Sequence, residues 1–245
     1  MSSARSPRLG RLPLLAGPRH GPLPYFLLAL TMVTGLVDAV SVLRLGRVFV
    51  ANMTGNVVFV GFALARAPGF SLAASLIALG GFLAGAGACG RLVTWLAPDR
   101  GRLLQTTASV ELVLFLAATI IAFLALGRSS AAIYVLAALL APAMGFQNTT
   151  ARRLAVPDAT TTVLTMTLTG MAADFRSGQP GTAILRRLLS IATMLVGAIL
   201  GALLVLSGHP AQALLIATLL VASVVAGVGI AGRHRPLWRQ EAPRS

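Results

Sequence analysis

Long apolar runs, separated by short polar breaks, make up most of the chain between residues 24 and 231. An α-helix rises 1.5 Å per residue and the hydrocarbon core of a bilayer is about 30 Å thick, so about 20 apolar residues predict one membrane-spanning helix. Six runs are long enough. They predict spans over residues 24–43, 71–90, 103–126, 131–150, 188–207 and 211–231.

Two further apolar stretches, residues 53–65 and 160–173, are short and interrupted by Asn, Thr and Gly. Each is either a complete but polar span or a broken, re-entrant half-helix. The arginines favour the re-entrant interpretation, because cytoplasmic loops are enriched in basic residues. Eight spans would put 13 arginines inside and 7 outside, whereas six spans put 16 inside and 4 outside. We therefore expect six spans with both termini in the cytoplasm.

Composition agrees with a polytopic membrane protein, since 56% of the residues are hydrophobic and the mean hydropathy is +0.85. All 20 basic residues are Arg, against six acids, which gives a net charge of +14. Positive-inside topology explains this charge better than nucleic-acid binding, because the arginines lie mostly in tails and short connections. Residues 1–23 are predicted to be a disordered basic cytoplasmic tail, 24–232 a single transmembrane domain, and 233–245 a second basic cytoplasmic tail.

The two halves of the domain, residues 24–126 and 131–231, share a pattern of polar and small residues. The first half contains Gly35, Asp38, Asn52, Thr54, Asn56 and Gly61, and the second contains Gly145, Asn148, Thr161, Thr162, Thr165 and Gly170. With six spans, three crossings separate the halves, which predicts an inverted internal repeat in an all-α helical bundle. The alternative is that Gly, Ala and Thr are simply common in transmembrane helices.

Two Gly-x-x-x-Gly pairs support the repeat, each in the span after one short element. Small residues at this spacing let two helices approach closely, so we predict helix packing at these positions and a match between the two pairs. The pairs are Gly81 with Gly85 and Gly197 with Gly201.

Polar side chains are costly in hydrocarbon, so the two polar clusters predict a cavity or pathway that they line at the midplane. The expected lining residues are Asn52, Thr54, Asn56, Gln147, Asn148 and Thr165. Asp38, some 14 residues into the first span, is the candidate titrating group. The alternative for Asp38 is a structural acid that pairs with Arg44 or Arg47.

Glu111 is a second candidate for ion coupling, because it is the other acid inside an apolar run. Its predicted depth is about a third of the third span. That depth leaves open the alternative that its carboxylate snorkels to the headgroups.

Catalytic and metal-binding motifs are missing from the sequence, which contains neither HExxH nor a serine-hydrolase GxSxG. The three histidines fall in tails or a loop, and the single cysteine, Cys89, cannot form an intrachain disulfide. Helix packing is the expected role of Cys89. We therefore predict no enzymatic activity, no cofactor and no metal. Without a P-loop, any driving energy would come from an ion or proton gradient.

Four segments resemble one family of proteins. They are Val37-Asp38-Ala39-Val40-Ser41, the run from Phe49 to Asn56 that contains ANMTGN, Gly145-Phe146-Gln147-Asn148, and residues 161–170. Through them the chain resembles the YoaK-like family of bacterial integral membrane proteins, a domain of unknown function, over about residues 24–232. The resemblance implies a multi-pass protein of the bacterial inner membrane and supplies no substrate or mechanism.

The sequence thus predicts a secondary transporter or permease for a small polar solute, with proton coupling through Asp38. The alternative is a non-transporting membrane scaffold or lipid-binding protein, in which the polar clusters only hold helices together. The expected partners are the lipid bilayer and a small-molecule substrate, with a homo-oligomer left open.

Overall fold

Seven helices lie in the part of the chain that the computed structural model describes, namely residues 21–96, 99–156, 169, 181–232 and 238, without the side chains of 181–183. They are α1 Leu23–Arg44, α2 Met53–Leu64, α3 Leu72–Leu96, α4 Arg100–Ala125, α5 Ala131–Leu154, α6 Gly181–Leu206 and α7 Pro210–Ala231. The second predicted short element, residues 160–173, falls outside these ranges except for Thr169.

Six of these helices, all except α2, are long and apolar enough to cross a membrane, which confirms the six predicted spans. They contain 22 to 26 residues each. Helix α2 has 12 residues and is therefore about 18 Å long, too short for the hydrocarbon core. It is the short, separate element that the interrupted stretch at 53–65 predicts.

Local sequence explains where several helices begin. Proline, which lacks a backbone N–H, occupies the first turn of α1 and of α7, where that N–H has no helical partner. Helix α4 begins after Asp99, whose carboxylate accepts a hydrogen bond from the N–H of Arg102 at 2.8 Å.

Helix α1 lies at the centre of the bundle and is the most buried of the six long helices. Its main partner is α6, and it also packs against α7 and α5. Helix α3 packs mainly against α5, while α4 packs against α7 and α5. Each half therefore finds its closest contacts in the other half.

Pairs of contacts show which helices run in the same direction. Helices α1 and α6 are parallel, since Gly197 lies at Met32 and Gly201 lies one turn further on, at Leu36. Helices α3 and α5 are also parallel: Gly85 lies at Pro142, and the Cys89 Sγ is 3.6 Å from the carbonyl oxygen of Phe146.

Helices α4 and α7 are antiparallel. Near the start of α4, Gln105 Oε1 is 3.6 Å from the position of a Cβ on Gly229, close to the end of α7. The Thr119 and Thr218 hydroxyls, further along α4 and earlier along α7, are 2.8 Å apart.

These directions show that α2 does not add a crossing. The short connections α3–α4, α4–α5 and α6–α7 reverse the chain, so α1, α4 and α6 run one way and α3, α5 and α7 run the other. Arg44 and Leu72 therefore lie at one end of the bundle. Leu154 and Gly181 lie at the opposite end, where α1 begins and α7 ends. A Cβ on Gly21 would lie 2.6 Å from the Trp238 ring, as expected if both ends of the chain share that face.

Candidate functional site

Asp38 holds the chain that follows α1 against the side of that helix. Its carboxylate Oδ1 accepts a hydrogen bond from the N–H of Ala51 at 3.2 Å, and the residue is only 7% exposed. Asp38 is six residues before Arg44, so Ala51 reaches about 9 Å back from the end of α1. Residues 45–52 are thus a re-entrant segment that carries non-helical backbone down beside α1.

Asn56, in the first turns of α2, binds the same segment two residues earlier, at Phe49. Its Oδ1 accepts the N–H of Phe49 at 2.9 Å, and its Nδ2 donates to the carbonyl oxygen of Phe49 at 2.6 Å. The residue is fully buried. Backbone polar groups in hydrocarbon require partners, and Asp38 and Asn56 supply them where the helix is interrupted.

The carboxylate of Asp38 pairs with neither arginine that the sequence suggested. The Arg47 guanidinium lies over the Phe70 ring, 5.6 Å from its centroid, and Arg44 extends to the turn at Gly127. Within the described residues, the ion pair that the structure shows is Arg102 with Asp99, 3.8 Å apart. The arginine pairing in that alternative is therefore wrong, since Asp38 binds backbone rather than a cation, but a structural role for Asp38 through this backbone contact is left open.

Gln147 on α5 bridges to α1 at the bundle centre. Its Nε2 donates to the Thr34 hydroxyl at 2.8 Å and to the carbonyl oxygen of Leu30 at 3.3 Å. The side chain is 1% exposed, and its Oε1 has no hydrogen-bond partner. Asp38 is one turn beyond Thr34 on the same face of α1, so a buried polar column of Thr34, Gln147 and Asp38 runs along this helix.

The other predicted lining residues are more dispersed. Asn52 and Thr54 are exposed at the start of α2, and the Asn52 side chain makes no capping hydrogen bond. Asn148 is half-buried and donates to the carbonyl oxygen of Met144 at 3.1 Å. Thr165 lies outside the described residues. The structure thus brings Asp38 and Gln147 to one face of α1, while Asn56 binds the backbone of the re-entrant segment at Phe49.

Glu111 is the twelfth of the 26 residues of α4 and therefore lies at the midpoint of that helix. It is 1% exposed, and its Oε1 has no hydrogen-bond partner. The snorkelling alternative is corrected, because a carboxylate at this depth and burial does not reach the headgroups. A buried carboxyl oxygen without a partner is costly in free energy.

All four Gly-x-x-x-Gly residues lie at helix contacts, but their match between the halves differs from the prediction. A Cβ on Gly85 would clash with the Pro142 carbonyl oxygen, and one on Gly197 would clash with that of Met32. One on Gly201 would be 2.8 Å from the Leu36 oxygen, whereas Gly81 faces the side chain of Pro142 at 3.1 Å.

Gly85 and Gly197 therefore make the same kind of contact, each against a backbone carbonyl oxygen of the facing helix, whereas the sequence matched Gly197 with Gly81. By these contacts the two glycine pairs are offset by one helical turn. The motif repeats every four residues, so sequence alone leaves its register along the helix ambiguous.

Gly35 and Gly145 make matching contacts across the two helix pairs. A Cβ on Gly35 would lie 2.7 Å from the Ala198 N and 3.1 Å from the Gly197 carbonyl carbon. A Cβ on Gly145 would lie 2.7 Å from the Ala86 N and 3.1 Å from the Gly85 carbonyl carbon. No signal in the sequence marks Thr34, because its hydroxyl joins the polar column only through the hydrogen bond from Gln147.

Fold and site together define a polytopic helical membrane protein with a re-entrant segment bound to a buried carboxylate. The chain matches the model of a protein family of unknown function, DUF1275, over residues 26–227, and it belongs to that family. It is also similar to the UPF0700 transmembrane protein YoaK of Bacillus subtilis (strain 168). The two are 34% identical over 185 residues, which cover 71% of this chain and 80% of the relative. These matches confirm the YoaK-like resemblance. No solved structure matches the chain.

Proposed function

We propose that this protein is a secondary transporter for a small polar solute, with Asp38 as the group that takes up and releases a proton. The observation that carries the proposal is the Asp38 contact, in which a carboxylate inside a membrane span holds an irregular backbone segment. The described conformation is then the occluded one. The proposed role is not enzymatic.

The proposal includes an inverted repeat, because transporters commonly place their site between two such halves. Gly35 matches Gly145, and α1 and α5 run in opposite directions. By this match, Asp38 in the first half corresponds to Asn148 in the second, three residues after each glycine. One half then carries a titratable side chain and the other a neutral amide at the same position.

Protonation of Asp38 would loosen the re-entrant segment. A hydrogen bond from a backbone N–H to an ionised carboxylate is about twice as strong as one between neutral groups. When the carboxylate is neutralised, the Ala51 contact weakens and residues 45–52 can move away from α1. This movement would uncover the polar column of Thr34, Gln147 and Asp38 from the face at which α1 ends.

The unpartnered Oε1 of Gln147 is the acceptor offered to the solute in this scheme. A buried amide oxygen without a partner costs about 1–3 kcal/mol, and a hydroxyl or amine of the solute would remove that cost. Asn52, Thr54, Asn148 and Thr165 would line the route to it, and Glu111 is the second candidate for ion coupling.

Water access to Thr34 tests the proposal. In a Cys89→Ser background, Thr34→Cys should react with a membrane-impermeant thiol reagent, and Asp38→Asn, which mimics the neutral carboxyl, should speed the reaction. Val33→Cys is the matched control, since both residues are fully buried on the same helix. Equal inertness at both positions, with and without Asp38→Asn, would rule out the gated pathway.

Proton flux gives the second test. Proteoliposomes containing a pH-sensitive dye would be challenged with pools of amino acids, sugars and nucleosides. A pool that acidifies wild-type vesicles should have no such effect with Asp38→Asn. Asp99→Asn is the control, because Asp99 is an acid at a helix start and Asn caps helices equally well. Unchanged flux in Asp38→Asn would remove the coupling role.

One observation favours the alternative of a non-transporting scaffold or lipid-binding protein. Asp38 and Asn56 both bind backbone of residues 49–51, which would suffice to stabilise an interrupted helix. Under that alternative, Thr34→Cys stays unreactive at every pH, and no solute changes the pH inside the vesicles.

For localisation, we propose the bacterial inner membrane with both termini in the cytoplasm. The face at which α1 begins and α7 ends carries the connections richest in arginine, including Arg152 and Arg153 at the end of α5 and Arg186 and Arg187 in α6. The positive-inside rule assigns that face to the cytoplasm.

A further inference from the structure

A cavity of about 380 Å³ opens at the face opposite the chain ends, where α1 and α4 end and α5 begins. Its lining combines apolar side chains with cationic and hydroxyl groups. The lining includes Leu43, Arg44, Arg128, Ser129 and Ser130. The cavity differs chemically from the polar column on α1, because its lining includes two arginines.

The arginines in this cavity are on the side where topology does not require them. The six-span arrangement puts four arginines on this minority face, namely Arg44, Arg47, Arg66 and Arg128. Arg47 packs on the Phe70 ring, whereas Arg44 and Arg128 line the cavity together. A positive charge on the outer face needs a reason other than the positive-inside rule.

Within the part of the chain that the structure describes, the connections at this face, residues 45–71, 126–130 and 207–209, contain no acidic residue. The six acids are Asp38, Asp99, Glu111, Asp158, Asp174 and Glu241. Asp38, the acid on α1, is bound to the Ala51 backbone. Among the described residues, no carboxylate of these connections therefore balances the charge of the two guanidinium groups.

Helix dipoles do not neutralise the cavity either. The carboxyl ends of α1 and α4 each contribute about −0.5 charge, and the amino end of α5 contributes about +0.5. Arg128 Nη1 donates to the carbonyl oxygen of Leu124 at 3.3 Å, which uses one of its five donors. With two arginines at +1 each, the local sum is still about +1.5.

We infer that this cavity binds a phosphate group, and that the phosphate is the headgroup of an anionic phospholipid. Arg44 and Arg128 supply guanidinium donors, which match phosphate oxygens in pairs. The Ser129 and Ser130 hydroxyls add neutral donors, and Ser130 makes no capping hydrogen bond with its side chain. Leu43 is 45% exposed beside the guanidinium groups, which places apolar surface where the acyl chains of a lipid would lie.

The inference is independent of the transport proposal and is tested by binding alone. Purified protein in neutral detergent would be titrated with phosphatidylglycerol, phosphatidylcholine or inorganic phosphate. Binding would be measured by the change in melting temperature and by native mass spectrometry. Phosphatidylglycerol should raise the melting temperature and remain bound, and phosphatidylcholine should do so less. The effect should weaken as ionic strength rises.

Arg44→Gln and Arg128→Gln should each weaken phosphatidylglycerol binding by about tenfold or more, because each loses charge-assisted hydrogen bonds. Arg66→Gln is the matched control, an arginine on the same face outside the cavity, and should bind as the wild type does. Arg44→Lys keeps the charge without the paired donors and should give an intermediate affinity. This variant keeps the test valid should Arg44→Gln fold poorly.

Arginine-dependent binding of inorganic phosphate as strong as that of phosphatidylglycerol would keep the phosphate site but overturn the lipid as its source. Equal phosphatidylglycerol binding in the wild type and both Gln variants would overturn the site itself. So would the absence of any stabilisation by phosphatidylglycerol or by inorganic phosphate.

Discussion

A single methyl group at the contact between α3 and α5 should destabilise the whole bundle. The perturbation is Gly85→Ala, which adds a Cβ where the backbone of Pro142 already lies. That Cβ would be 2.6 Å from the Pro142 Cα and 2.8 Å from its carbonyl carbon, and would clash with its carbonyl oxygen. All three atoms belong to a helix backbone, so no side chain can rotate away.

The size of the effect follows from the separation that the helices need. Contacts between carbon atoms are comfortable at about 3.5 Å or more, so α3 and α5 must move apart by nearly 1 Å. Overpacking of this kind costs about 1–3 kcal/mol. The gain in helix propensity from Gly to Ala is about 1 kcal/mol, which leaves a net loss of up to about 2 kcal/mol.

Gly87→Ala is the matched control, because it is on the same helix two residues away and a Cβ there meets nothing within 4 Å. It should be neutral or slightly stabilising. Reversible unfolding in mixed micelles, with a denaturing detergent titrated in, measures both variants. If Gly85→Ala unfolds at the same detergent fraction as Gly87→Ala, the close approach of α3 and α5 is wrong.

Three further variants separate structural from functional polar groups. Asn56→Leu leaves the N–H and C=O of Phe49 without partners, so we expect a loss of about 2–4 kcal/mol in the same unfolding assay. Gln147→Met removes the unpartnered Oε1 together with the Nε2 donor, while Thr34 keeps its hydrogen bond to Leu30. Stability should therefore change by less than about 1 kcal/mol, and solute-driven proton flux should be lost. Glu111→Met should raise stability by about 1 kcal/mol or more, since it replaces a buried carboxyl group with an apolar one; a lower stability would mean that Glu111 has a partner outside the described residues.

The spans could be predicted because each is an apolar run of membrane-crossing length, but their ends could not. The span predicted over residues 71–90 ended before Arg91, yet α3 continues to Leu96. The span predicted from residue 188 began after Arg187, yet α6 begins at Gly181. Both errors have one cause: a helix continues through the headgroup region, where arginine is favourable, so charge marks the edge of the hydrocarbon rather than the end of the helix.

The site was predicted in part. Polarity inside an apolar segment identified Asp38, Asn56 and Gln147 as unusual, because such residues are costly in lipid. Their partners could not be predicted, since an amide that lines a pathway and one that binds Phe49 backbone look alike in sequence. The contact between Gln147 and Thr34 joins residues 113 positions apart, which no local pattern reports.

The pairing of α1 with α6 has a consequence for the synthesis of the protein. About 140 residues separate the end of α1 from the start of α6, which at about 5–20 residues per second means roughly 7–30 s of translation. During that interval the first helix is in the bilayer without its main neighbour, and its Gly35 and Asp38 face lipid or the insertion machinery. Cutting the gene between α4 and α5 should therefore yield two fragments that are degraded when expressed singly and rescued when co-expressed.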